Sequence, residues 1–229
     1  MTTAVMIPAR IGSSRFPAKM LAKVDDEHTL IERVFLKVCE QWTQKDVFVV
    51  TDSQEIADLF HSDNVIMTSE DCPNGTARCS EAASNLDPEY DFVINVQGDM
   101  IDIPDGILFA IEEAFDQYDL ITVTTDMPEE MQNDPNTVKC ITDYENRALW
   151  FARGIEGYGD WHLGIYGYFI GALLDYNEIP ESDEEKKESL EQLRFLKNGY
   201  NMYTVHTIQE CAEINTPEDL ERWQSTQMN

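Results

Sequence analysis

Apolar residues in the first half of the chain occur in short continuous runs and in helix-spaced patterns that follow one another. The runs at 4–7, 47–50, 65–67 and 92–96 predict buried strands. Between them, 29–42 carries apolar side chains three and four positions apart, as an amphipathic helix does, and helices are also predicted from Ser53 to about 61 and over 76–86. Strands that alternate with helices favour a mostly parallel sheet with helices on both faces, a three-layer α/β/α arrangement.

The alternation is less regular after residue 100. A single domain over 1–229 with an inserted small mixed subdomain at about 125–180 accounts for both halves of the chain. The predicted elements are a helix at 104–115, strands at 120–124, 138–141, 148–151, 163–168 and 202–205, a polar loop at 126–135, a long charged helix at 183–197 and a terminal helix capped by Thr216.

The charge of the chain is strongly negative. Sixteen Lys and Arg stand against 44 Asp and Glu, which gives a net charge of −28. Such a field repels polyanions, so a general nucleic-acid-binding or anionic-membrane surface is excluded. A small anionic ligand would require a local basic pocket, and each cation is therefore informative.

The rest of the composition indicates a cytoplasmic protein with no membrane span. The five cysteines form no CxxC pair and are predicted to be reduced thiols. The longest apolar stretch, 163–174, is too short to cross a bilayer, and the N-terminal run is too short for a signal peptide.

The segment that follows the first predicted strand is the strongest chemical signal. Arg10, Arg15 and Lys19 lie close together in a chain poor in cations, and Gly12 and Ser13 between them allow close approach of the backbone to a phosphate. In open α/β sheets, ligands bind just past the carboxyl ends of the strands. The segment predicts a phosphate-binding loop; the alternative is a surface turn with incidental cations.

Asp99 is the second signal. It follows the predicted strand 92–96 and Gly98, which places a carboxylate at the same edge of the sheet as the first loop. Mg²⁺ prefers one or two carboxylates together with ligand phosphates. Alone, an aspartate after a strand is as often a turn former; together with the basic loop it predicts a metal-assisted phosphate site.

Serial motifs identify a family. The chain resembles the 3-deoxy-manno-octulosonate (Kdo) cytidylyltransferases, or CMP-Kdo synthetases, from about residue 4 to 223. The order of the motifs is more specific than any one of them; they read IPARIGSSRFPAK, VTDS, NGTAR, INVQGD, DPNTVK, ALWFAR, HLGIYGY, LEQLR and NTPEDLE.

This resemblance implies a nucleotidyltransferase that transfers CMP from CTP to the anomeric hydroxyl of Kdo, releases pyrophosphate and serves lipopolysaccharide biosynthesis. It also implies a homodimer held by the small subdomain, with Mg²⁺ as cofactor. The implied catalytic residues are Arg10, Lys19 and Asp99. The implied nucleotide contacts are Arg10, Ser13, Arg15, Lys19, Asn74, Thr76, Arg78 and Gln97; the sugar contacts are Arg153, His162, Tyr166, Glu191 and Gln192; and the metal ligands are Asp99 and the residue at 215.

Three departures from the family pattern keep alternatives open. The family's second metal-binding aspartate is here Asn215, Met100-Ile101 replaces the usual Glu-Pro after Asp99, and the segment 154–161 is short. The last two predict a shifted sugar preference, such as an 8-amino variant of Kdo or a nonulosonate. Asn215 leaves open one or two metal ions, and also a degenerate CTP-binding homologue without turnover. His162 is a candidate general base, although a structural or ligand-contact role is favoured.

Overall fold

A computed structural model describes residues 1–12, 15–209 and 211–227, with Glu130 described by its backbone alone. The strands are β1 (Thr3–Ala9), β2 (Val47–Thr51), β3 (Val65–Met67), β4 (Phe92–Val96), β5 (Met100–Asp102), β6 (Leu120–Thr125), β7 (Lys139–Thr142), β8 (Ala148–Ala152), β9 (Asp160–Phe169), β10 (Tyr203–Thr207) and β11 (Ala212–Glu213). The helices are α1 (Leu30–Gln41), α2 (Gln54–Ala57), α3 (Gly75–Ala83), α4 (Ile107–Ala114), α5 (Ile170–Asp175), α6 (Asp183–Glu188), α7 (Leu193–Lys197) and α8 (Pro217–Gln227). Short 3-10 helices lie at Lys19–Leu21, Gln44–Asp46, Ser62–Asn64 and Glu129–Met131.

The central sheet has the strand order β10-β6-β9-β4-β1-β2-β3. β1 pairs in parallel with β2 on one side and with β4 on the other, and β9 runs antiparallel between β4 and β6. The chain order therefore reverses at β1, which is a topological switch point where open α/β sheets bind ligands.

Helices cover both faces of this sheet. Val5 and Ile7 of β1 pack in one cluster with α1, whereas Met6 between them packs in a second cluster with Ala77 and Ala82 of α3. This alternation is the period of two that a strand buried on both faces requires. The predicted mostly parallel, three-layer α/β/α architecture is confirmed.

A hairpin of β7 and β8 extends from the sheet. β7 pairs with Asp160 and Trp161 at the start of β9, whose later residues lie in the central sheet. The elements at 125–180 thus share a long strand with the main body, and their treatment as a dimerisation subdomain stays a prediction. Among the described residues, no helix has both the length and the apolar character that a membrane crossing demands.

The predicted long helix at 183–197 is wrong. α6 ends at Glu188, Ser189 takes a left-handed conformation with φ 54°, and α7 begins only at Leu193. Tertiary contacts override helix propensity here, since Leu190 is buried and the Glu191 carboxylate accepts a hydrogen bond from the backbone N–H of Thr76.

Other differences from the predicted elements are smaller. The helix expected to reach residue 61 stops after one turn at Ala57, and β5, β11 and α5 were not predicted. β5 and β11 form a two-stranded antiparallel sheet of their own. Such short strands carry too few residues for a periodic signal.

A buried ion pair stabilises the broken helix. The Arg194 guanidinium donates from Nη2 to Oε1 of Glu185 at 2.7 Å and from Nε to Oε2 at 2.9 Å, and it stacks on Tyr176 at 4.3 Å. Both charged side chains are almost fully buried.

We expect Arg194→Met to lower the free energy of unfolding by about 3 kcal/mol, because it leaves the Glu185 carboxylate buried without its partner. The double variant Arg194→Met, Glu185→Met should recover most of this loss. Urea unfolding measures both, with Lys197→Met at an exposed ion pair as the control. Equal losses of unfolding free energy in the single and double variants would contradict the stabilising role of the Arg194–Glu185 pair.

Candidate active site

A large cleft opens at the carboxyl ends of β1 and β4. It encloses about 1690 Å³ and is bounded on its far side by the α6–α7 segment and by α8. The predicted residues that line it are Arg10, Arg15, Lys19, Asn74, Arg78, Gln97, Asp99, Arg153, His162, Tyr166, Glu191, Gln192 and Asn215. Side chains far apart in sequence therefore share one cavity; Ser13 lies outside the described residues.

Lys19 and Asp99 meet at the floor of this cleft. The Lys19 ammonium donates to Oδ2 of Asp99 at 2.7 Å, and Lys19 is only 6% exposed. A Cβ at Gly98 would lie 2.6 Å from the carbonyl oxygen of Pro8, so the two strand ends approach more closely than any other residue allows. Ala18 adopts φ 52° as the chain turns to present Lys19. Arg10 lines the same cleft from the end of β1.

The start of α8 forms the neighbouring wall. Arg15 donates from Nη2 to Oδ1 of Asn215 at 3.1 Å, and the Asn215 amide donates to Oε2 of Glu213 at 3.2 Å. Asp219 accepts hydrogen bonds from the backbone N–H groups of Asn215 and Thr216, which fixes this turn. The amide of Asn215 therefore faces the cleft with its oxygen already shared with Arg15.

Glu213 is a site residue that sequence reasoning missed. It lies in β11, and the following residue donates its backbone N–H to the carbonyl oxygen of Asp99 at 2.9 Å. Burial and then the negative charge of Asp99 raise the pKa of Glu213 to about 7. Two carboxylates thus face the same part of the cleft. In the sequence, only its position two residues before Asn215 could have suggested that Glu213 belongs to the site.

The start of α3 faces the opposite side of the cleft. Asn74 caps this helix by accepting the N–H of Ala77 at 2.8 Å. A Cβ at Gly75 would lie 2.7 Å from the amide of Gln97, so a larger residue here would displace the Gln97 side chain from its present position. Gln97 in turn donates to Oε1 of Glu191 at 3.2 Å.

Glu191 connects these groups from the segment between α6 and α7. Its Oε2 accepts the backbone N–H of Thr76 at 3.1 Å. Burial raises the pKa of Glu191, and the hydrogen bonds from Thr76 oppose that shift. The Thr76 hydroxyl itself points to Tyr168 at 3.0 Å and lies beneath the cleft.

Arg78 is largely occupied by contacts within the protein. The buried guanidinium donates to the Thr68 hydroxyl at 2.5 Å, to the Ser69 carbonyl at 3.3 Å and to Oδ2 of Asp52 at 3.2 Å. Its position at the cleft is therefore fixed, with its charge already opposed by Asp52.

Arg153 differs from Arg78 in its partners. Its Nη1 donates to the carbonyl of Asn136 and its Nε to the carbonyl of Glu188 at 3.4 Å. Within 1–12, 15–209 and 211–227, its guanidinium forms no ion pair with a carboxylate. Neutral carbonyls orient this cation and leave its charge for a ligand.

His162 and Tyr166 complete this side. His162 is 6% exposed, its Nε2 lies 2.9 Å from the Thr122 hydroxyl, and burial lowers its pKa to about 3. The imidazole is therefore neutral. The Tyr166 hydroxyl donates to Oε1 of Gln192 at 3.4 Å, and Nε2 of the buried Gln192 has no partner within the described chain.

The family model described as cytidylyltransferase matches residues 4–214. A 3-deoxy-manno-octulosonate cytidylyltransferase of Arabidopsis thaliana is 37% identical, over 96% of this chain and 81% of the plant protein. An 8-amino-3,8-dideoxy-manno-octulosonate cytidylyltransferase of Shewanella pealeana is 35% identical over 96% of each chain. A solved structure of a CMP:2-keto-3-deoxy-manno-octonic acid synthetase complexed with CTP superimposes with a TM-score of 0.90 at 29% identity, over 100% of this chain and 99% of that one.

These matches extend over nearly the whole chain in both sequence and fold, and they coincide with a cleft at the switch point of the sheet. The chain belongs to the cytidylyltransferase family and is an enzyme of that class, as its resemblance to the 3-deoxy-manno-octulosonate cytidylyltransferases predicts.

Proposed function

We propose that this enzyme transfers CMP from CTP to the anomeric hydroxyl of 3-deoxy-manno-octulosonate or a close variant and releases pyrophosphate. The observation that carries the proposal is one cleft with a cation at each end, of which one is paired with a carboxylate and the other is not. Lys19, paired with Asp99, lies on the phosphate-loop side, and Arg153, unpaired with any carboxylate in the described chain, lies on the other. The names of the relatives indicate the two substrates that such a cleft would receive.

The transfer is a displacement at the α-phosphorus of CTP, which depends on positioning and charge neutralisation. Arg10, Arg15 and Lys19 supply positive charge for the triphosphate. Asn74, at the start of α3, and Gln97, just after β4, are the proposed contacts of the nucleoside, with Ser13 and Arg78 as further ones. Thr76, expected from the sequence as a contact, lies beneath the cleft and is proposed only to support it. The attacking group is the sugar hydroxyl, so no protein nucleophile is required.

The sugar acid is proposed to bind at the opposite end of the cleft. Arg153 would pair with its carboxylate, because its guanidinium is oriented but not neutralised. Tyr166, Glu191 and Gln192 line the cleft and would contact its hydroxyls. His162 would support the pocket as a neutral ring.

The residues present fit a hard divalent cation such as Mg²⁺. Asp99, Glu213 and the Asn215 oxygen offer carboxylate and amide oxygens. Burial and then the charge of Asp99 raise the pKa of Glu213, and a cation between the two carboxylates would relieve their repulsion. In the described part of the chain no group of three or more His, Cys, Asp or Glu residues is arranged to hold a metal. Nucleotide phosphates would therefore complete the coordination. When bound, the ion would neutralise phosphate charge and lower the pKa of a coordinated hydroxyl.

The relatives also support a close second candidate, the 8-amino variant of the sugar, because curated Shewanella proteins of that name match nearly the full chain. Met100 and Ile101, whose departure from the family pattern predicts a shifted preference, are buried in the core and do not line the cleft. A direct effect of these two side chains on the sugar is therefore not part of the proposal.

We further propose a cytoplasmic homodimer that serves lipopolysaccharide biosynthesis. The exposed Tyr144 and Leu149 of the β7–β8 hairpin support an interface there.

We expect CTP-dependent pyrophosphate release with 3-deoxy-manno-octulosonate, its 8-amino variant or both, measured by a coupled assay with Mg²⁺. A nonulosonate and a reaction without sugar acid serve as controls. Turnover with the nonulosonate alone would overturn the sugar assignment. CTP binding by calorimetry without turnover of any sugar acid would instead indicate a degenerate homologue.

Lys19→Met and Asp99→Asn should each lower kcat/KM at least about a hundredfold, because each removes a charge that neutralises or organises the triphosphate site. Each variant also leaves one partner of a largely buried ion pair without the other, so its unfolding temperature should fall, and activity is compared at a temperature where circular dichroism shows both variants folded. Lys45→Met, at a 79% exposed side chain, is the matched control. Retention of activity near the wild-type level in either site variant contradicts the proposed roles.

His162 should remain neutral over the working pH range, since burial lowers its pKa to about 3. Its ring proton resonance, assigned by comparison with His162→Asn, should not shift between about pH 5 and 8. Because the unfolded chain takes up a proton near the ordinary pKa of 6.5 and the folded ring does not, this residue lowers stability as pH falls below that value. Urea unfolding should show a smaller acid loss in His162→Asn, and an equal loss would contradict the assignment.

A further inference from the structure

Lys139 is a buried cation outside the predicted site. It is 1% exposed at the start of β7, and its ammonium donates to the carbonyl of Asp134 at 2.7 Å and to the carbonyl of Arg153 at 3.4 Å. Across the described ranges it forms no ion pair within 4 Å. Its direct partners are two backbone carbonyls, and nearby lies the Asp134 carboxyl, whose pKa is lowered first by the backbone N–H of Asn136 and also by the charge of Lys139.

A buried ammonium of this kind contributes little to the stability of the fold. Removing an ammonium from water is costly unless it is paired, and replacing buried ionic groups by apolar ones of similar volume is often neutral or stabilising. Lys139 pairs with Ala152 of β8 and with Trp161 of β9, neither of which carries a charge. Packing alone therefore gives no reason for a lysine at this position.

The two carbonyls that Lys139 contacts belong to the segments that orient Arg153. Asp134 begins a turn in which its Oδ1 accepts the N–H of Asn136 at 2.8 Å, and the Asn136 carbonyl then accepts from the Arg153 guanidinium. The second bond of Lys139 goes to the Arg153 carbonyl itself. Lys139 thereby joins the turn that holds the guanidinium to the main chain that carries it.

The charges around this end of the cleft also favour a role for Lys139 in binding an anionic substrate. Glu181, Glu185 and Glu188 border or support this end of the cleft in a chain of net charge −28. An anionic second substrate must approach against that field. Lys186 also lines this end of the cleft but is paired with Glu181 at 2.9 Å, so among the described residues here Arg153 is the cation without a carboxylate partner. A buried ammonium behind Arg153 adds positive potential in a region of low dielectric, where it is weakly screened.

We propose that Lys139 is a positioning residue for the sugar acid: it locks the 134–137 turn to the end of β8 so that the Arg153 guanidinium faces the substrate carboxylate. This inference rests on the proposed function. It assigns Lys139 no contact with either substrate. Because Arg153 would hold the carboxylate equally before and during phosphorus attack, loss of Lys139 should raise KM for the sugar acid with kcat nearly unchanged.

The test compares Lys139→Met, Arg153→Met and the double variant by steady-state kinetics with each substrate varied. Lys139→Met should raise KM for the sugar acid about tenfold or more, leave KM for CTP within about twofold and keep the unfolding temperature at or above the wild-type value. In the Arg153→Met background, Lys139→Met should raise KM for the sugar acid by a smaller factor than it does in the wild type, because the side chain that it positions is gone and only the field of the ammonium is still lost. Lys197→Met, a lysine of the exposed surface, is the matched control.

Lys139→Gln gives the conservative comparison and replaces Lys139→Met if that variant does not fold. It keeps a donor for the carbonyls but no charge, and its KM for the sugar acid should lie between those of the wild type and Lys139→Met. An unchanged KM for the sugar acid, a parallel rise in KM for CTP, or full additivity with Arg153→Met would overturn the proposal. Wild-type inactivity toward every sugar acid would instead reject the proposed function, so the two failures are distinguishable.

Discussion

The approach of two strand ends is the constraint on which the rest of the site depends. β1 and β4 are parallel neighbours, and only a glycine at position 98 lets the turn after β4 pass the Pro8 carbonyl. That contact places the Asp99 carboxylate beside the Lys19 ammonium although 80 residues separate them. Because both segments leave the sheet at its switch point, the ion pair forms where the architecture already provides a crevice. The geometry of the phosphate side therefore follows from backbone packing rather than from side-chain flexibility.

A chain with a net charge of −28 must solve an electrostatic problem to receive two anions. The few cations of the chain are concentrated at the cleft, where Arg10, Arg15, Lys19 and Arg153 all line the cavity. Local cations within low-dielectric walls focus the field, so the remote acidic surface, screened by salt, matters less than its total suggests. The two ends of the cleft differ in how they present charge. Lys19 is paired with a carboxylate, whereas Arg153 is oriented by carbonyls.

The sequence predicted most of the fold because its core strands are short, apolar and separated by clear helix patterns. The runs at 47–50, 65–67 and 92–96 match β2, β3 and β4 within a residue. Prediction failed where long-range contacts override local preference. The 183–197 segment has a helical composition, but Ser189 turns left-handed so that Glu191 can reach α3. The two-stranded sheet of β5 and β11 leaves no periodic trace.

The same reasoning explains which site residues the sequence could and could not identify. Arg10, Lys19 and Asp99 stand out because charged residues directly after apolar strands share one sheet edge, and family motifs supplied most of the others. Glu213 and Lys139 carry no such local signal. Glu213 enters the cleft only because β11 pairs with β5 beside Asp99, and Lys139 reads as an ordinary lysine at a strand end. Their environments are products of tertiary structure, which a one-dimensional pattern does not encode.

Glu191 couples the two halves of the cleft mechanically. Its carboxylate accepts from the Thr76 backbone and from Gln97 on the side proposed for the nucleotide, while its neighbour Gln192 accepts from Tyr166 on the side proposed for the sugar acid. Both residues lie in the four-residue break between α6 and α7, whose start is fixed by Ser189 and whose end leads into the buried Arg194–Glu185 pair. A displacement of this break at either end must therefore alter the hydrogen bonds at the other. The helix that the sequence predicts as continuous is thus interrupted where Glu191 and Gln192 make these contacts.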